Sequence, residues 1–401
     1  MSAPDRAGAG RQLALATIAF AVSFYAWSLL GPLGPDLEDE LGLSEFETSA
    51  MVAVPVLLGS VMRIPLGWLT DRHGGRRVFG LLLAFTPLAL LALALWHDAL
   101  APILAFGFLL GFAGASFAVG VPFVNGWYPP ERQGFALGVY GMGMGGTTVA
   151  GLTAPSIADE WGLAAPFWVA IALVLVTLAA FALLARDAPR PGGAAAGGAR
   201  PGMFAALGVF RHSGRAWALT LFYFMAFGGF VAMFLYLPKL LTGVHDLSDS
   251  DAGARAAGFA LLAVLARPTG GWLSDRVGAA RVLVASFAGV GVLALVLAAA
   301  YESMVPLTIA CLAIAVALGL GTGAVFKLVP EWFPDRVGSV TGVVGAAGGL
   351  GGFFPPLVMG AVKGATGGYA LGFVLMAAVA AACLAVLAAL RRGSGAQPAT
   401  A

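Results

Sequence analysis

Two arginines, Arg63 and Arg267, stand inside otherwise apolar stretches, and each lies eight residues before the aspartate of a G-W-L-[TS]-D-R sequence. In a helix, eight residues rise about 12 Å. That places both side chains near the middle of a hydrocarbon layer about 30 Å thick. A cation at that depth costs at least about 2.5–3.5 kcal/mol and faces a cavity or a partner. All 20 Asp and Glu residues and all 4 histidines fall in loops or at helix ends, so no intramembrane carboxylate is offered. The counter-charge is then a solute, and the solute is an anion. A guanidinium fork suits a planar oxyanion better than an ammonium does. The competing reading is that the arginines snorkel or bond backbone carbonyls. That suits one arginine near an interface better than two at matched depths.

The elements that must hold these arginines are membrane helices. The 401 residues are 60% hydrophobic and 10% charged, with a mean hydropathy of +0.91. A soluble domain carries roughly 25% charged residues, which excludes a cytosolic enzyme, a secreted domain and a disordered chain. Twelve spans of about 20 residues fit this length. Hydropathy predicts helices at 12–34, 48–70, 78–96, 100–127, 134–154, 165–185, 216–240, 253–273, 281–300, 305–329, 338–360 and 369–390. Cys311 and Cys383 lie in apolar runs, so neither a disulfide framework nor a metal site is expected. No cofactor motif occurs, no basic cluster suits a nucleic acid, and the first apolar run reads as a span rather than a cleaved signal.

Charge sets the expected orientation. With both termini cytoplasmic, sixteen arginines lie on the cytoplasmic side: Arg6, Arg11, Arg72, Arg76, Arg77, Arg132, Arg186, Arg190, Arg200, Arg211, Arg215, Arg276, Arg281, Arg336, Arg391 and Arg392. Only Arg255, Lys239 and Lys363 lie outside, which is the positive-inside bias. A cell (inner) membrane protein, acting as a monomer among lipids, is expected. Lys327 reads as a snorkelling residue, and Trp127 and Trp332 as interfacial anchors.

The chain also repeats at an offset of 204. RIPLGWLTDRHGGRR (63–77) returns as RPTGGWLSDRVGAAR (267–281), and Pro130, Gly134, Gly138 and Gly141 return as Pro334, Gly338, Gly342 and Gly345. Two six-helix halves of like orientation follow, with a substrate site between them near mid-membrane. The Pro-, Gly- and Ala-rich stretch divides them. The predicted fold is an all-α membrane protein of two pseudo-twofold-related six-helix bundles: residues 1–185, a linker at 186–215, and residues 216–401. Within it, the fifth and eleventh helices carry GFALGVYGMGMGGTTVAG (134–151) and GSVTGVVGAAGGLGGFFPP (338–356). Glycines at 138, 141 and 145, and at 342, 345, 349 and 352, line one face of each helix. Such a face lets another backbone approach closely, for static packing, for sliding, or for both.

The segment Gly67, Asp71, Arg72, Gly74, Arg76, with its copy Gly271, Asp275, Arg276, resembles the loop signature of the major facilitator superfamily. The resemblance implies that this loop clamps helix ends on the cytoplasmic side and holds the outward-open state. The two Gly-rich helices, together with LGFAGASF (110–117) and GLGTGAVF (319–326), resemble the signatures of the nitrate/nitrite porter family. That likeness implies that Arg63 and Arg267 bind the anion. It makes Phe24, Phe117 and Phe227 rings around the anion and Tyr223 a hydrogen-bond donor, with Gly141, Gly145 and Gly345 on the facing helices. Many members carry an asparagine in the fifth helix, where Met144 and Gly145 stand here.

The expected activity is alternating-access transport of nitrate and nitrite. Exchange moves no net charge, whereas carrying one anion inward costs about 2.3 kcal/mol per 100 mV. Proton symport and small-carboxylate exchange, of an oxalate or formate type, are the alternatives within transport. An enzyme lacks a nucleophile–base pair in the apolar core, and a sensor lacks an output domain.

Overall fold

A computed structural model describes residues 7–189, 202–366 and 368–394. Arg6, Arg190 and Arg200 and the middle of the expected linker lie outside the described residues. The described residues form helices joined by short turns, without strands. In chain order the long ones are α1 (Ala9–Trp27), α2 (Glu45–His73), α3 (Gly75–Leu95) and α4 (Leu100–Gly114, continued as Ser116–Asn125). They continue as α5 (Gln133–Gly141 and Gly146–Trp161) and α6 (Ala165–Leu184). The second half holds α7 (Gly214–Tyr223 and Gly229–His245), α8 (Asp249–Val277), α9 (Ala279–Ala300), α10 (Met304–Trp332), α11 (Val337–Thr366) and α12 (Ala370–Ser394). Nine of them are, among the described residues, apolar and long enough to cross a membrane. The other three are α1, which opens on Arg11 and Gln12, the interrupted α5, and the glycine-rich α11.

Capping reproduces the repeat. The Ser44 hydroxyl accepts the Glu47 N–H at 3.4 Å, and the Glu47 carboxylate accepts the Ser44 N–H at 2.9 Å. This capping box starts α2. At the repeat-related position, Ser248 accepts the Asp251 N–H at 3.2 Å and starts α8. Both helices end at glycines of positive φ, Gly74 at 89° and Gly278 at 91°, where a side chain would be strained.

Three features differ from the hydropathy reading. The first helix ends at Trp27 rather than near residue 34, because the sequence turns to Gly31-Pro32 and Gly34-Pro35. A short helix, Gly34–Leu41, follows where a loop was expected, with Pro35 at a position that tolerates its missing N–H. Two core helices also leave α geometry at matching depth. α5 tightens to a 3-10 turn over Met142–Gly145, and α7 widens to a π turn over Phe224–Gly228. Glycine weakens the α preference in the first, and π turns of this kind cluster at functional positions.

Candidate functional site

Arg63 on α2 and Arg267 on α8 are each 3% exposed. Each sends an Nη1 bond across the interface between the halves. Arg63 donates through Nη1 to the Gly345 carbonyl of α11 at 2.5 Å and through Nε to the Gly114 carbonyl at 3.3 Å. Arg267 donates through Nη1 to the Gly141 carbonyl of α5 at 3.1 Å, and its Nη2 lies 3.4 Å from the Met144 sulfur. Neither arginine pairs with an acidic side chain among the described residues. Backbone carbonyls do take part of the hydrogen-bonding capacity, as the competing sequence reading allowed. A guanidinium has five N–H donors, and carbonyls hold two from Arg63 and one from Arg267.

The glycines make this crossing possible. A Cβ at Gly141 would sit 3.3 Å from the Arg267 Cδ, and one at Gly345 would sit 3.2 Å from the Arg63 Cδ. Each arginine stem therefore lies flat on the facing helix. Gly145 packs more loosely, with Val264 3.9 Å from its ideal Cβ.

Aromatic rings close the centre. Phe117 and Tyr223 lie parallel, 4° apart in plane with centroids 6.3 Å apart. Tyr223 stacks on Phe227 at 5.1 Å, and the Arg267 guanidinium carbon stands 5.7 Å from the Phe227 centroid. The structure thus brings together Arg63, Arg267, Phe117, Tyr223 and Phe227. Phe24 stands one ring away: it packs on Phe20 at 4.4 Å, and Phe20 meets Phe117 at 5.5 Å.

Sequence reasoning missed Phe326 of α10, which meets Phe117 edge-on at 4.6 Å and Tyr223 at 4.7 Å. It also missed Tyr140, whose hydroxyl donates to the Ser116 carbonyl at 2.9 Å while its ring stacks on Phe20. A recess beside Arg267, between Phe117, Gly141, Thr322 and Phe326, measures about 10 Å³, about what one water fills. At this size the recess has no room for a polyatomic ion.

Two turns toward the basic end, the loop motif joins the halves. Asp71 accepts the N–H groups of Gly338 at 2.8 Å and Ser339 at 2.7 Å, at the start of α11. Asp275 accepts those of Gly134 at 2.9 Å and Phe135 at 2.8 Å, at the start of α5. Carboxylates suit helix N-termini, where N–H groups lack internal partners. Gly67 meets the Gly338 carbonyl, and Gly271 meets the Gly134 carbonyl, so closely that neither could bear a Cβ. The Arg72 and Arg276 guanidinium groups lie over Trp68 at 5.4 Å and Trp272 at 4.1 Å. Arg76 donates to the Ala182 carbonyl of α6 at 2.9 Å, within its own half.

Two assignments need correction. Lys327 is 4% exposed and does not snorkel: its ammonium pairs with Asp275 at 2.9 Å. Trp127 is 5% exposed and packs in the core rather than at an interface. Trp332 is half-buried, with the Arg215 guanidinium 5.7 Å from its ring.

Twelve helices in two like bundles, crossed at a central cationic site, define a secondary transporter rather than an enzyme. The chain belongs to the Major Facilitator Superfamily, whose sequence profile matches residues 16–254 and 240–400. It is 42% identical over 383 residues to the probable nitrate/nitrite transporter NarK2 of Mycobacterium tuberculosis, covering 93% of this chain and 94% of that one. It is 38% identical over 379 residues to the nitrite extrusion protein of Bacillus subtilis, covering 92% of each. Among solved structures, the human organic anion transporter MFSD10 superposes with a TM-score of 0.79 at 17% identity, covering 94% of this chain and 99% of that one. The E. coli fucose:proton symporter superposes with a TM-score of 0.74 at 18% identity, covering 94% and 99%.

Proposed function

We propose that this protein carries nitrate and nitrite across the cell membrane by alternating access, exchanging one for the other. Residues 1–185 and 216–401 are the two moving bundles, 186–215 their cytoplasmic link, and the basic end faces the cytoplasm. The observation that carries the reading is the pair of buried, repeat-related guanidinium groups without acidic partners among the described residues. The names of the relatives support the choice of anion.

The anion lies between Arg63 and Arg267, takes N–H donors that the carbonyls leave over, and receives a further hydrogen bond from Tyr223. Phe117 and Phe227 exclude water, which strengthens the arginine–anion attraction. Binding draws the two bundles together, since each arginine belongs to a different one. Exchange is favoured because Asp71 and Asp275, each eight residues and so about 12 Å along the helix from Arg63 and Arg267 respectively, are already occupied in the contact between halves.

Proteoliposomes loaded with nitrite should take up labelled nitrate without a pH gradient. Formate and oxalate in excess should compete poorly. Strong uptake into nitrite-free vesicles driven by a pH gradient refutes exchange, and strong competition by oxalate or formate refutes the anion assignment.

A further inference from the structure

The closure at the basic end contains one group with no counterpart in the repeat. Lys327, on α10, sends its ammonium to three acceptors: the Asp275 carboxylate of α8 at 2.9 Å, Glu331 of its own helix at 3.7 Å, and the Pro130 carbonyl of the opposite half. Asp275 and Pro130 lie within hydrogen-bond reach, and Glu331 adds a longer ion pair. The Lys327 and Asp275 side chains are 5% and 6% exposed. At the repeat-related position, 204 residues earlier, stands Phe123.

We propose that Lys327 is a positioning residue of the transport cycle: an ionic tie that holds the cytoplasmic mouth shut and aims Asp275 at the start of α5. Separating the halves takes Pro130, Gly134 and Phe135 away together. The ammonium then loses one acceptor, and the buried carboxylate loses both N–H donors. The tie is also wired to the centre. Asp275 lies two turns from Arg267 on α8, and Lys327 follows Phe326, which touches Phe117 and Tyr223. The inference concerns the gate and stands whichever anion is carried.

Spin labels at His73→Cys and Val277→Cys, exposed repeat-related ends of α2 and α8, report the opening of this mouth. Cys311 and Cys383 are replaced by alanine in that background. Lys327→Met should raise the ratio of open to closed populations about tenfold, and Lys327→Arg should restore most of the closed state. Phe123→Met should leave the distances unchanged. Lys327→Gln, which keeps a donor for Pro130 without the charge, provides the same test if the methionine variant does not fold, and it should also open the mouth. Unchanged distances in a monodisperse Lys327 variant overturn the proposal. An equal shift in Phe123→Met does so as well, because it would reveal general loosening. Anion affinity at the central arginines, measured alongside, separates failure of this tie from failure of the transport reading.

Discussion

Replacing either central arginine by lysine keeps the charge and removes the fork. In Arg267 the fork divides its work: Nη1 is fixed by the Gly141 carbonyl at 3.1 Å and Nη2 points toward Met144 at 3.4 Å. A bound oxyanion competes only with the weak sulfur contact for the second nitrogen. Lysine offers one nitrogen for both tasks, so it either leaves the carbonyl or gives up one bond to the anion. One hydrogen bond to a charged group is worth about 1.5–3 kcal/mol, and about 1.4 kcal/mol is tenfold in affinity. Nitrate binding to Arg267→Lys should therefore weaken roughly 10- to 150-fold. Arg63→Lys should do the same, since its Nη1 is likewise fixed, on Gly345 at 2.5 Å. Titration calorimetry of the purified protein, with thermal melts to verify folding, measures the loss. Lysine variants that bind nitrate within about threefold of the parent would show that charge alone suffices, and the argument from fork geometry would fail.

Other perturbations test neighbouring parts of the scheme. Tyr223→Phe keeps the stack on Phe227 and removes one donor, so nitrate affinity in an uptake competition should fall about 2- to 12-fold, for one neutral hydrogen bond of about 0.5–1.5 kcal/mol. Gly271→Val places a side chain against the Gly134 carbonyl. It should open the cytoplasmic mouth and abolish exchange, as read by cysteine accessibility and counterflow. Asp36, outside the spans, has its carboxyl held above the usual range by partial burial first, and then by Asp159 and Asp39. Its charged form is thus disfavoured by folding, and stability falls as pH rises through the raised value. Asp36→Asn should melt higher than the parent at pH 7, with the difference vanishing below about pH 3.8, the carboxyl's ordinary value.

The central arginines were legible because a charge in an apolar run has few explanations. The loop motif was legible because it recurs at one offset; the caps at Ser44 and Ser248 share that offset, but only the structure brought them out. The pairing was not. Each arginine reaches the glycine helix of the other half, and a repeat says which residues are equivalent without saying which ones touch. Lys327 was misread because its partner Asp275 lies on another helix, although the i,i+4 spacing to Glu331 was in plain view. The ring cluster was only partly legible. Phe326, Phe20 and Tyr140 join it through helix rotations that hydropathy does not record, and Phe24 stays one ring outside.

The π turn in α7 carries one residue more than an α-helix would need to cover the same rise. Successive residues of a helix point about 100° apart. Winding the same residues as unbroken α-helix, with the extra one retained, would swing the whole of Gly229–His245 by that angle. Phe230, Met233, Leu237 and Leu241, now 6%, 6%, 6% and 3% exposed, would turn out of the protein together. The extra residue thus works as a phase shift between two stretches of one helix. It lets the stretch before it present Tyr223 to the centre while the stretch after it keeps its own face packed.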